Sequence, residues 1–343
     1  IMGAYTIGAM GSRLIAGWLV DTYGRKRLLS AGLLLIVAAT AFYRLANNVP
    51  QLFVVRAAHG FCFGLATTAL GTMVADILPR TRLTEGLGYY GLTTSISMSM
   101  APMLGYWLAE KYGYPTLFLT VSMISGVTFL LSLTVRGNTT IIPAKPASGP
   151  VHWDDLVEKS ALPAGAVGFF VATVHGSVVS FISLFAAERG FTRVGLFFAV
   201  MSVCMLISRP ISGRWADRGG SDQVLLLGLG FMFLGVGTVS LAPPEVGFFL
   251  GAAAFGLGLG FCLPTLQALA VVNAPAHMRG AATGTYFLSF DLGIGLGVIL
   301  SGYLAKATSY QTMYLATLAP LVISGVLHLK LRASRQQVIT RHQ

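Results

Sequence analysis

Most side chains capable of chemistry in this sequence interrupt apolar runs. Asp291, in "FDLGIGLG", lies about ten residues into a hydrophobic stretch, near mid-membrane at a helical rise of about 1.5 Å per residue. A carboxyl buried there could carry a proton, or it could be structural and paired with a neighbouring helix through Arg13 or Arg209. Arg56 stands a few residues inside another run, where it either snorkels to the interface or takes part in proton coupling or substrate contact. Residues 56, 60, 63 and 67 share a helical face, which makes Thr67 a cavity candidate beside Arg56. His175, midway along its run, either titrates or packs through a hydrogen bond. Gln267, three residues beyond Pro264, is a comparable cavity candidate. Asp76, one turn before Arg80, is expected to form a local ion pair.

Two further carboxylates close apolar runs, Asp21 in "GWLVDTYGRKR" (17–27) and Asp217 in "GRWADRGGSD" (213–222). No acid and base are paired and no metal-ligand set is readable, so the chain is not expected to be an enzyme or to bind a metal. The strings "GLGLG" (256–260) and "GIGLG" (293–297) lack the strand context of a nucleotide fold. Their Gly256/Gly260 and Gly293/Gly297 spacings are helix-packing faces. With no phosphate-binding loop and no cofactor expected, energy would come from an ion gradient.

The elements that position these residues are membrane spans. The chain has 343 residues, 55% hydrophobic and 10% charged, with a mean hydropathy of +0.73; an ordinary soluble domain is about 25% charged. The net charge of +11 is spread through short loops, which argues against a nucleic-acid face. Cys62, Cys204 and Cys262 lie inside apolar runs and show no disulfide or zinc spacing. Breaks at charge clusters, Pro and Gly predict an all-α membrane protein with eleven spans. They lie near 1–20, 28–46, 51–78, 86–109 and 114–135, then 162–187, 192–213, 224–242, 246–274, 281–305 and 311–329. Of the 23 Lys and Arg, fifteen fall in alternate loops and the tail, five in the opposite loops, and Arg13, Arg56 and Arg209 within spans. That bias predicts a cytoplasmic C-terminus and an extracytoplasmic start.

The halves repeat at an offset of 196: Ser12, Arg13, Ile15, Gly17 and Asp21 fall on Ser208, Arg209, Ile211, Gly213 and Asp217. Pro79 meets Pro275, and Tyr114, Thr116 and Leu119 meet Tyr310, Thr312 and Leu315. Parallel repeats follow, both motifs closing a span on the same side. The span at 162–187 has no partner in the first half, which predicts a twelve-span protein, six plus six, whose first span precedes Ile1. The expected organisation is a first bundle at 1–135, a cytoplasmic linker at 136–160, a second bundle at 161–331 and a cytoplasmic tail at 332–343. Within the linker, "HWDDLVEK" forms either a short interfacial helix with Trp153, Leu156 and Val157 toward headgroups, or a disordered tether. "NTT" at 138 matches a glycosylation acceptor that a cytoplasmic loop would leave unused.

The repeated loop resembles the signature of the major facilitator superfamily, carried by Gly17, Asp21, Gly24, Arg25, Lys26 and Arg27, with Thr22 where a cation is usual. The second copy keeps Gly213, Asp217, Arg218 and Gly220. "RAAHG" (56–60) resembles the fourth-span motif of the twelve-span drug and proton antiporters, and "APMLGY" (101–106) a degraded form of their fifth-span motif. The resemblance implies rocker-switch transport in which Asp21 sits at the N-terminus of the span starting near Gly280, and Asp217 at that starting near Gly86. Gly17 and Gly213 would permit the close approach. The expected function is proton-coupled efflux of small organic compounds by a monomer in the cell membrane. The alternatives are an uptake symporter or uniporter for a metabolite, and a non-transporting sensor on the same scaffold.

Overall fold

The structure is a computed structural model, describing residues 2–46, 48–135, 152–191, 193–241 and 245–341. Among these the secondary structure is helical, with no strand. The helices are α1 Met2–Tyr23, α2 Arg25–Phe42, α3 Val49–Ile77, α4 Leu83–Thr134, α5 Trp153–Leu156 and α6 Leu162–Glu188. They continue as α7 Val194–Trp215, α8 Ser221–Leu241, α9 Glu245–Val272, α10 Arg279–Ala307, α11 Tyr310–Ala316 and α12 Leu318–Arg341.

Local chemistry sets the breaks. Gly24, at φ 95°, turns the chain between α1 and α2 in a conformation costly for any residue with a Cβ. Asn48 caps α3 by accepting from the Gln51 N–H, with Pro50 in the first turn where no N–H is missed. Gly113, at φ 81°, divides α4 into two arms. α11 and α12 part at Thr317 because Pro320 has no N–H to continue the ladder. α5 is a single turn closed by Asp155 accepting from the His152 N–H, with Trp153 exposed. The expected linker residues 136–151 and the "NTT" at 138 lie outside the described residues.

Among the described residues eight stretches are long and apolar enough to cross a bilayer, and one of them, Val194–Leu241, holds both α7 and α8. The expected spans at 1–20 and 86–109 are helical as α1 and the opening arm of α4 but fall outside those eight. Polar residues explain this: Ser12, Arg13 and Asp21 in one, Thr93, Thr94 and Ser95 in the other.

Two compact units emerge. One comprises Ile1–Leu78, Met100–Leu162 and Ala270–Asp291; the other comprises Pro79–Ser99, Pro163–Leu269 and Leu292–Gln343. Each therefore takes in the opening of a long helix from the other half of the sequence, α10 in the first unit and α4 in the second. The first unit's core joins Val20, Leu29, Ala66, Ala69 and Met73, and the second holds Ala216, Val224 and Phe261 together. In the second unit the Gly256 and Gly260 positions of α9 face the Met201 carbonyl and the Ser208 hydroxyl of α7. Gly293 and Gly297 of α10 face the Phe169 and Thr173 carbonyls of α6. At each, a Cβ would collide with its neighbour, so both glycine strings are packing faces.

Candidate functional site

In the first unit Asp21, buried at the end of α1, caps α10. Its Oδ1 accepts from the Gly280 N–H at 3.0 Å and its Oδ2 from the Ala281 N–H at 2.8 Å. These N–H groups lack intrahelical partners at a helix start, and the helix dipole adds to the attraction for a carboxylate. Gly17, one turn earlier, makes the approach possible, since a Cβ there would lie 2.6 Å from the Gly280 oxygen and 2.7 Å from the Ala281 Cα.

Behind this contact lies a buried charge network. Arg25 reaches Asp21 at 3.2 Å and Asp76 at 2.9 Å, and donates to the Ala276 carbonyl at 3.1 Å. Asp76 bridges to Arg279 through its other oxygen at 2.9 Å, with its side chain only 2% exposed. The expected pairing of Asp76 with Arg80 is thus corrected. α3 ends at Ile77 and Arg80 opens an exposed turn, whereas Arg25 and Arg279 converge on the carboxylate from α2 and α10.

The second unit repeats the capping contact at the same offset. Asp217 accepts from the Thr84 and Glu85 N–H groups, both at 2.9 Å, at the start of α4. A Cβ on Gly213 would lie 2.5 Å from the Glu85 Cα. Arg214 adds an ion pair to Glu85 at 2.7 Å and donates to the Tyr89 hydroxyl at 3.1 Å. The hydrogen bond from Arg214 holds the Glu85 carboxyl below its usual range, with Arg82 and Arg218 contributing weakly. Arg218 is exposed and lines a cavity with these residues.

Deep in the first unit, Asp291 of α10 pairs with Arg13 of α1 at 2.6 Å. The Arg13 guanidinium also donates to the Thr67 and Thr68 hydroxyls at 3.1 Å each and lies 4.5 Å from the centroid of the Phe287 ring. Of the two partners foreseen for Asp291, Arg13 is the one it meets. Arg209, the repeat equivalent of Arg13, donates to the Met205 sulfur at 3.4 Å and lies against Gly91, the position matching Phe287.

Arg56 donates to the Tyr43 hydroxyl at 3.2 Å and lies over the rings of Tyr5 and Tyr43 at 5.6 and 5.8 Å. The same hydroxyl lies 3.1 Å from the His59 Nδ1. Arg56 and Thr67 thus share α3 and both have ties to α1, Arg56 through Tyr5 and Thr67 through Arg13. His175, buried in α6, stacks on Phe255 at 6.5 Å, and Gln267 is half-buried on α9. Sequence reasoning did not single out Thr68, Phe287, Arg279, Glu85 or Arg214 as site residues. Glu85 and Arg214 had one available signal, their places next to the capping motif in its second copy.

Long apolar helices, an ion pair within them and carboxylates capping helix starts are the architecture of a polytopic membrane protein. The family model described as Major Facilitator Superfamily matches residues 1–298 and 165–341, and the chain belongs to that superfamily. It is a multi-pass membrane transporter and not an enzyme. The chain is 24% identical to the staphylopine export protein of Staphylococcus aureus over 92% of its own length and 82% of that protein. It is 26% identical to the multidrug resistance protein MdtG of Escherichia coli, over 90% and 78% of the two chains. Among solved structures, the human organic anion transporter MFSD10 aligns with a TM-score of 0.86 at 14% identity, covering 95% of this chain and 82% of that one. The transporter FucP in its outward conformation aligns at 0.77 and 15%, covering 95% and 88%.

Proposed function

We propose that the protein is a proton-coupled exporter of small organic compounds working by alternating access, with bundles at 1–135 and 161–331 and a cytoplasmic C-terminus. The observation that carries the coupling is the Arg13–Asp291 pair. Among the described residues this carboxylate is ion-paired with the Arg13 guanidinium, and its side chain keeps 18% exposure through which a proton can reach it. Protonation removes the counter-charge of Arg13, so proton binding alters the contact between α1 and α10. Asp21 caps α10 at that helix's start, in the same unit, so one helix joins the proton site to the latch. The names of two relatives, a multidrug resistance protein and an export protein, support the outward direction and an organic substrate.

Inverted membrane vesicles test this reading. Acidifying the lumen should drive accumulation of a cationic or neutral organic dye, and Asp291→Asn should abolish the proton dependence. Absence of acid-driven accumulation across a broad panel favours an uptake symporter or uniporter instead. Unchanged proton-driven exchange in Asp291→Asn removes Asp291 from the mechanism.

A further inference from the structure

The two capping contacts match residue for residue, but what backs them differs. Behind Asp21, the buried Asp76 joins Arg25 to Arg279. At the offset of 196 the corresponding residues are Ser221 for Arg25, Val272 for Asp76 and Leu83 for Arg279. Among the described residues the second unit therefore has no carboxylate in the place of Asp76, and its Asp222 pairs instead with His328 and Arg332 of α12. It has instead an open cavity of about 320 Å³ lined by Thr81, Arg82, Glu85, Arg214, Asp217 and Arg218. Three cations face two carboxylates, and both carboxylates are committed: Asp217 to the Thr84 and Glu85 N–H groups, Glu85 to Arg214. The Arg82 and Arg218 side chains make no hydrogen bond or ion pair among the described residues and line the same space. One belongs to the turn before α4 and the other to the turn after α7, so an anion between them would span the two helices. The cavity lies where the apolar run of α7 stops, and the exposed Trp215, next in sequence to Arg214, is an aromatic typical of headgroup depth.

We propose that this cavity binds the phosphate of an anionic lipid headgroup, which ties the turn before α4 to the end of α7 as Asp76 ties α2 to α10. Two guanidiniums whose N–H groups make no hydrogen bond to the described residues match the tetrahedral oxygens of a phosphate. The anionic leaflet lies at the membrane surface where these arginines emerge. The lipid strengthens the Asp217 contact, and only its consequence for transport rests on reading that contact as state-dependent.

Amide hydrogen exchange of Thr84 and Glu85, the two N–H donors to Asp217, reads the effect on the full chain in nanodiscs. Adding phosphatidylglycerol to phosphatidylcholine discs should slow their exchange by at least roughly tenfold. The double variant Arg82→Gln/Arg218→Gln should lose that slowing, while Arg80→Gln, which removes a charge outside the cavity, should keep it. Arg82→Lys/Arg218→Lys, which preserves both charges, should retain part of it; loss in the Lys pair equal to loss in the Gln pair, with Arg80→Gln unaffected, still supports the site as a guanidinium fork. Phosphatidylglycerol without effect, or equally effective on the Gln pair, overturns the proposal. Slowing by inorganic phosphate in phosphatidylcholine discs, with none from phosphatidylglycerol, overturns the lipid as its source. No substrate or proton gradient is applied, so the result stands apart from the fate of the exporter reading.

Discussion

Gly17 and Gly213 lack side chains at the two points where α1 meets the start of α10 and α7 meets the start of α4. Elsewhere in a helix, Gly→Ala is worth up to about 1 kcal/mol of stability. Here the added methyl would meet backbone, which cannot rotate away, and overpacking of that kind costs about 1–3 kcal/mol. Gly17→Ala is therefore expected to loosen the α10 contact, while Gly11→Ala on the same helix, with nothing within 4 Å of its Cβ, leaves it intact or firmer. Accessibility of a cysteine placed at Ala281 to a membrane-impermeant thiol reagent separates the two. Equal labelling in both variants would remove the steric argument. The Arg13–Asp291 pair makes a sharper residue-level prediction. Asp291→Asn leaves a buried guanidinium without its counter-ion, a loss of about 3–5 kcal/mol where no water relieves it. Arg13→Gln/Asp291→Asn should recover most of the thermal stability without recovering proton-driven transport, because amides can share hydrogen bonds but cannot exchange a proton at neutral pH. Recovery of both properties would mean that the pair is purely structural.

At the scale of elements, the sequence revealed some contacts and hid others for a physical reason. The Gly–x3–Asp spacing places a small residue and a carboxylate one turn apart at the ends of α1 and α7, and its repetition identifies both. The helix starts they meet are legible too, because one span is expected to start near Gly280 and another near Gly86, one or two residues after the Thr84 and Glu85 that Asp217 meets. Asp76 was misjudged because its nearest cation in sequence, Arg80, is exposed, while Arg279 lies 203 residues away and carries no local signature. Glu85 and Arg214 were likewise hidden, being 129 residues apart. Their ion pair gives the α4–α7 contact a pH dependence whose sign is fixed. The Glu85 carboxyl is held below its usual value by Arg214, so its contribution is fully present above the unfolded carboxylate range and is lost as pH falls through the lowered value. Exchange of the Thr84 amide, corrected for its intrinsic pH dependence, should rise on the acid side in the native protein. In Glu85→Gln that acid-side rise should be smaller. An identical acid limb in both would exclude Glu85 as its source.

For the whole molecule, the repeat that duplicates the capping contact does not duplicate its surroundings, and salt should tell the copies apart. Asp21 and Asp76 lie in a buried network, with Asp76 only 2% exposed, whereas Arg214 is 60% exposed beside Glu85. Mobile ions screen exposed charges over about 10 Å at 0.1 M but reach a buried pair poorly. Surface pairs are correspondingly weak. Raising ionic strength in discs of zwitterionic lipid should therefore speed exchange at Thr84 and Glu85 and leave Gly280 and Ala281 nearly unchanged. The direction follows from burial alone, since both copies use the same carboxylate geometry on two N–H groups. Replacing Asp76 by Asn should narrow the difference between the copies, because Arg25 and Arg279 would then face each other without the anion that joins them. Were the α10 start as sensitive to salt as the α4 start in the native protein, the buried network would not be what distinguishes them, and the asymmetry between the repeats would need another origin.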